Sequence, residues 1–171
     1  MRTMCLVKST YISEMSNSLL KVFVYGTLKN GQPNHHWLTN TSNGLAKFLA
    51  QGKTKDLFPL VIATPYNVPF LLNNPGIGLN IKGEIYDIDE RMLGQLDILE
   101  DYPRLYDRQI QDIVTCDGII QCWMYLLKSF PNQLLDKPHM DEYKNSIEMP
   151  YIESYITNCT PDDLIGDSAN L

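Results

Sequence analysis

The chain carries three histidines against twenty Asp and Glu residues. A Ser or Cys nucleophile relying on a histidine base is therefore poorly supplied, and carboxylates are the side chains best placed to move protons. One of them stands apart. In the stretch DERMLGQLDILEDYP, Asp89 to Pro103, the residues Leu93, Leu96 and Glu100 are spaced i, i+3, i+7 and share one helical face. Asp97 and Asp101 fall on another face with Glu90 and Gly94. Glu100 is thus the acid that projects from an apolar stripe. It also sits in the last turn, where the partial negative charge of the helix end disfavours an anion. Burial and the helix end both push a carboxyl pKa upward, and a glutamic acid tuned that way can take and return a proton near neutrality. An ordinary ion pair to Arg104 or Arg108 is the competing reading, and residue chemistry alone leaves both standing. Glu84 is a weaker candidate, because it lies on the polar face of its strand.

A second constellation is Tyr25-Gly26-Thr27-Leu28, at the end of the apolar run Lys21 to Val24. A Gly at a strand end lets successive backbone N–H groups be exposed, which attracts a carboxylate or an oxyanion. Thr27 adds a hydroxyl and Tyr25 a phenol. As an isolated tetrapeptide it reads first as a plain strand exit.

The elements that must hold these groups follow from pattern. Lys21 to Gly26 reads as a strand, Asn30-Gly31 as a turn, and Pro33 as the start of a short helix through Leu38. Ala46 to Thr54 and Leu60 to Thr64 read as strands. Leu79 to Ile88 alternates, with Leu79, Ile81, Gly83 and Ile85 on one face. Asp89 caps the helix that ends near Glu100, before Pro103. Leu105 to Thr115 and Ile119 to Leu127 form a hairpin around Asp117-Gly118. A short helix is expected around Pro150 to Thr157. Many short strands with one amphipathic helix predict an α+β fold: a small, mixed, curved sheet or β-barrel with flanking short helices. Residues 1–20 read as a flexible N-terminal extension, 21–158 as a single domain, and 159–171 as a flexible acidic tail.

Bulk properties narrow the function classes. At 171 residues the chain is long enough for one self-sufficient core. A net charge of −6 without a basic run argues against a nucleic-acid or anionic-membrane surface. The apolar stretches are too short to span a bilayer, and the first twenty residues lack the apolar core of a secretory signal. In the Asp117-Gly118 hairpin Cys116 faces Ile119 and Cys122 faces Ile113, so these two thiols do not pair. The four cysteines have no zinc spacing and read as free thiols in a reducing, cytoplasmic setting. No metal and no cofactor is expected. Gly76-Ile77-Gly78 lacks the third glycine of a dinucleotide loop, and there is no Walker, HExxH or GxSxG motif. His35 and His36 are adjacent, point apart, and read as bystanders.

Two motifs in order go further. FVYGTLKNGQPNH, Phe23 to His35, followed by GEIYDIDERMLGQLDILEDYPRLYDR, Gly83 to Arg108, closely resembles the γ-glutamylcyclotransferase-like family, and within it the branch acting on γ-glutamylamines. The likeness runs from about Lys21 to Leu127. It implies a small mixed barrel, substrate binding by Tyr25, Gly26, Thr27 and Leu28, and Glu100 as the catalytic acid-base residue. It further implies a lyase-type, cofactor-free cyclisation that turns a small γ-glutamyl amine, such as γ-glutamyl-ε-lysine, into 5-oxoproline and a free amine. The alternatives are a cyclotransferase for γ-glutamyl amino acids or glutathione, and a non-catalytic binding relative. Tyr106 and Tyr125 are candidates for the pocket wall, with core packing as the other reading. Oligomeric state is open, with a monomer the expectation.

Overall fold

The computed structural model describes residues 18–64 and 66–152. Among these residues seven strands run in the order β1 (Leu20–Val24), β2 (Ala46–Thr54), β3 (Leu60–Ile62), β4 (Pro69–Leu71), β5 (Lys82–Ile88), β6 (Tyr106–Thr115) and β7 (Gly118–Leu127). Two helices, α1 (His36–Thr39) and α2 (Glu90–Leu99), and a 3-10 turn, Asn132–Asp136, complete the elements. Five strands close into a barrel in the order β1-β5-β2-β6-β7, and β3 pairs with β4 beside it. All barrel pairings are antiparallel except the seam, where β1 lies parallel to β7 with Val22 opposite Trp123. The expected mixed barrel with flanking short helices is the observed architecture.

Alternation along the strands separates two cores. Phe23, Ile85, Ile113, Cys122, Met124 and Leu126 form the barrel interior. Residues of opposite parity on the same strands, Val22, Val24, Tyr86 and Ile88, face outward and meet Met92 and Leu96 of α2. This double burial explains why β5 departs from the simple two-faced strand expected: Ile85 and Tyr86 are neighbours and both buried, whereas Leu79 is 41% exposed. Fully burying Met92 and Leu96 contributes roughly 1.5–3 kcal/mol each and fixes α2 against the barrel wall. Asp89 caps the helix as its sequence position predicts, with its Oδ1 accepting from the Met92 N–H at 2.8 Å.

Three local expectations shift. The hairpin register pairs Thr115 with Gly118 and Gln111 with Cys122, so the turn residues are Cys116 and Asp117. Gly118 takes φ +128°, a conformation open to glycine, and so begins β7 itself. Cys116 and Cys122 are both free, as expected, although Cys116 lies in the turn and Cys122 faces Gln111 rather than Ile113. The short helix α1 starts at His36 rather than Pro33, because residues 29–35 use their amides in successive turns: Lys29 to Gly26, Gln32 to Lys29 and His35 to Gln32. Finally, 150–152 are irregular, and the remainder of the helix expected over 150–157 lies outside the described residues. So do most of the N-terminal extension and all of the acidic tail. Among the described residues no helix is long and apolar enough to cross a membrane.

Candidate active site

Where β1 ends, Tyr25 to Leu28 turn across the rim of the barrel. Tyr25 is held fast. Its ring belongs to the barrel interior, and its phenol donates to the carbonyl oxygen of Tyr125 at 2.9 Å. Burial first, and the nearby Glu100 carboxylate second, hold that phenol well above the usual tyrosine range. Gly26 is needed for a reason other than backbone bending. A Cβ there would stand 2.9 Å from Cγ of Pro69, so the glycine lets β4 approach the loop.

The carbonyl groups of Gly26, Thr27 and Leu28 face protein. Lys29 N–H reaches Gly26 O at 3.3 Å and Asn34 N–H reaches Thr27 O at 2.9 Å. The Nδ1–H of His35 donates to Leu28 O at 2.9 Å. His35 is therefore a brace for the loop rather than the bystander its sequence suggests. With the carbonyl groups spoken for, the amides of Thr27 and Leu28 have no protein acceptor among the described residues. Thr27 Oγ1 accepts from Asn34 Nδ2 at 3.0 Å, which leaves its own proton available to a ligand. Lys29 is buried behind the loop, with its Nζ donating to Tyr143 O at 2.8 Å.

Glu100 arrives from the opposite side. It caps α2 and donates its N–H to Leu96 O at 2.9 Å. The buried stripe beneath it is Met92 and Leu96, one helical turn apart, with Leu93 only partly covered. The two arginines that could have neutralised it are engaged elsewhere. Arg104 pairs with Asp101. Arg108 Nη1 lies 2.9 and 3.0 Å from the two carboxylate oxygens of Asp97, with its guanidinium stacked between Tyr102 and Trp123. Glu100 consequently has no ion-pair partner among the described residues. Crowded by protein yet reachable through the cavity in front of it, its carboxyl is pushed by burial up to about 7. Glu84, by contrast, accepts from the Asn30 N–H and the Tyr86 hydroxyl, which is the structural role anticipated for it.

Tyr25, Gly26, Thr27, Leu28 and Glu100 all line one cavity of about 310 Å³. Tyr106 and Tyr125 also line it. The Tyr125 hydroxyl donates to Asp97 Oδ1 at 2.6 Å, so the same Asp97 orients a wall residue and occupies Arg108. That double role predicts a large effect. Asp97→Asn would strand the Arg108 charge, whose Nε is already buried without a partner among the described residues, and should cost roughly 3 kcal/mol in urea unfolding. Sequence spacing gave no hint of Asp97, because its partners lie eleven and twenty-eight positions away. Asn34 and Tyr151 were missed for the same reason. Among the described residues no cluster of His, Cys, Asp and Glu could hold a metal ion.

A small closed mixed barrel, with an amide-bearing loop and a partly buried carboxylate on one cavity, defines a compact site for an anionic or carbonyl-bearing small molecule. Residues 22–145 match the family described as gamma-glutamyl cyclotransferase, AIG2-like, and the chain belongs to that family. It is 52% identical over 155 residues to a Drosophila melanogaster protein provisionally named a gamma-glutamylcyclotransferase, covering 90% of this chain and 99% of that one. It is 42% identical over 134 residues to the human gamma-glutamylaminecyclotransferase, covering 71% and 88%. Among solved structures, a mouse AIG2-like protein superposes with a TM-score of 0.75 at 38% identity, over 78% of this chain and 95% of that one.

Proposed function

We propose that the chain is a γ-glutamylamine cyclotransferase, in which Glu100 is the acid-base residue and Tyr25 to Leu28 hold the γ-glutamyl head. The observation that carries the reading is a partly buried carboxyl, without an ion-pair partner among the described residues, that lines one cavity together with the donor loop, and burial pushes its pKa up to about 7. The family membership and the names of the relatives support the same chemistry.

In the proposed reaction Glu100 removes a proton from the substrate's α-ammonium group, and the freed amine attacks the γ-carbonyl carbon. A five-membered ring closes, and the negative charge moves to the carbonyl oxygen, where the amides of Thr27 and Leu28 and the Thr27 hydroxyl are the available donors. When the carbon–nitrogen bond of the amide breaks, the protonated Glu100 gives its proton to the departing nitrogen, and the second proton that the ring nitrogen carries after the attack passes by way of the freed carboxylate to the amine, which leaves as an ammonium ion. The products are 5-oxoproline and a free amine, and no water is consumed. Folding the chain into near-attack geometry supplies a further share, since effective molarities for such closures reach ~10⁵ M or more. Tyr25 acts chiefly through its bond to Tyr125, as the anchor of the loop. The free thiols Cys116 and Cys122 suit a reducing cytoplasm, which is the setting we propose.

The test is a substrate panel of γ-glutamyl-ε-lysine, γ-glutamyl-alanine and glutathione, with 5-oxoproline measured by mass. We expect release from the ε-lysine isopeptide. Preference for glutathione or the dipeptide would move the protein to the alternative substrate class, and silence on all three would favour a binding relative.

A further inference from the structure

One wall of the Glu100 cavity comes from a part of the chain remote from every motif. Tyr151 lines the cavity although it lies past residue 145, where the family match ends. Its placement is not casual. The segment leading to it is tied down at several points: Asn145 N–H donates to Gln32 Oε1 at 2.8 Å, and Asn145 Oδ1 accepts the Tyr151 N–H at 2.7 Å. Asn67 Nδ2 donates to Met149 O, and Ile152 N–H reaches Tyr66 O at 3.1 Å. The Tyr151 hydroxyl in turn accepts from Asn34 Nδ2 at 3.2 Å. That amide nitrogen is the one that donates to Thr27 Oγ1. A single side chain, Asn34, thus ties Tyr151 to the hydroxyl proposed to meet the substrate.

We propose that Tyr151 is a positioning residue of this site: it orients Thr27 through Asn34 and closes the cavity wall against water, so that the segment from Asn145 to Tyr151 helps set how tightly substrate is held. The inference rests on the cyclotransferase reading for its kinetic half only. Asn34 is buried, so the orientation of its amide is fixed by the two oxygens it serves, and loss of one acceptor loosens its hold on the other. The ring of Tyr151 supplies bulk at the cavity wall. Removing it admits solvent to a carboxyl whose pKa is raised by the exclusion of solvent.

The groups that bear on Glu100 come from every neighbouring element. They are Tyr25 after β1, Tyr106 on β6 and Tyr125 on β7, with Asp101 and Arg104 paired in the turn that follows α2, and Asp97 paired with Arg108. Apart from the two ion pairs, these are phenols, and burial holds those of Tyr25 and Tyr125 above the usual tyrosine range. The midpoint of Glu100 is then governed by water access.

The experiment compares the full chain with Tyr151→Ala, Tyr151→Leu and Tyr151→Phe. Titration of the Glu100 carboxyl by NMR needs no turnover. Tyr151→Ala is expected to lower its midpoint by about half a unit or more, and Tyr151→Phe to leave it in place, because the ring remains. With γ-glutamyl-ε-lysine, Tyr151→Ala should lower kcat/KM about fivefold or more, through KM where Thr27 holds the γ-glutamyl head and through kcat where its hydroxyl meets the developing oxyanion. Tyr151→Leu, which keeps apolar bulk, covers the case in which the alanine variant folds poorly, and should fall between the two. Wild-type kcat/KM and an unmoved Glu100 midpoint in the alanine and leucine variants would overturn the inference. If the wild-type chain released no 5-oxoproline, the cyclotransferase reading would fall. The NMR midpoint would still decide the role of Tyr151: a downward shift supports it, and no shift refutes it.

Discussion

Glu100→Gln leaves a folded protein that releases almost no 5-oxoproline: a fall in kcat of ~10³ or more is expected, near the upper range for losing one general acid-base group, because the same side chain serves both proton transfers. Glutamine keeps the shape and volume of the carboxyl, so the packing over Met92 and Leu96 is undisturbed. Substrate affinity should change little, since the loop and its donors are untouched. The measurement is single-turnover release of 5-oxoproline, with circular dichroism as the control for folding. Near-normal turnover would remove Glu100 from the mechanism and leave the cavity a binding site. The same substitution has a second signature, in stability. A carboxyl that must ionise inside protein is a burden the neutral amide does not carry.

That burden sets the second prediction, in pH. The Glu100 midpoint stands at about 7 in the folded protein against an ordinary value of 4.5. The folded state therefore holds a proton that the unfolded chain has already released throughout that window. Stability falls as pH rises wherever the folded state binds more protons. The contribution of Glu100 is fully present below about pH 4.5, is lost progressively through pH 7, and stays lost above it. A difference of that size corresponds to about 3 kcal/mol at full expression. Catalysis runs the other way. The general base must be ionised in the free enzyme, so kcat/KM rises with pH to a plateau, with its acid limb centred at about 7. The wild-type protein is thus expected to gain activity and lose stability over the same pH interval. Glu100→Gln, measured by urea midpoint at pH 5 and pH 8, should be nearly matched to wild type at the lower pH and more stable at the higher. Parallel curves for the two proteins would show that Glu100 titrates normally.

The parts of this site legible in the sequence were those encoded by short-range pattern. Asp89 before an apolar period announces a helix, and that period places Glu100 on the covered side. The stripe was read one residue out, through Leu93 instead of Met92, because both residues are apolar and only the barrel wall decides which is covered. What makes Glu100 unusual was not legible. Its isolation depends on Arg104 choosing Asp101 and Arg108 choosing Asp97, and adjacent charges in a sequence do not disclose which partner each will take. Gly26 was read as the residue that lets the loop amides be exposed and proves also to be a point of contact, since the residue that requires it, Pro69, comes from another strand. The hairpin was anticipated and its turn misplaced by one residue. A Gly with positive φ can serve inside a turn or at the first residue beyond it, and the sequence Cys116-Asp117-Gly118 permits either.

The parallel seam of the barrel carries a kinetic consequence. β1 delivers the loop, yet its partner across the seam is β7, with Val22 opposite Trp123. All the intervening chain must be gathered before that contact can form, and closing so long a loop is the slow, entropically costly kind of step. Tyr25 is anchored to Tyr125 across the same join. The loop and Glu100 can therefore face one another only once the ends of the barrel have met. During synthesis, a nascent chain that has exposed Glu100 but not yet β7 has no assembled site. In a refolding experiment, regain of function should coincide with the final cooperative phase, with none appearing in any earlier collapsed species.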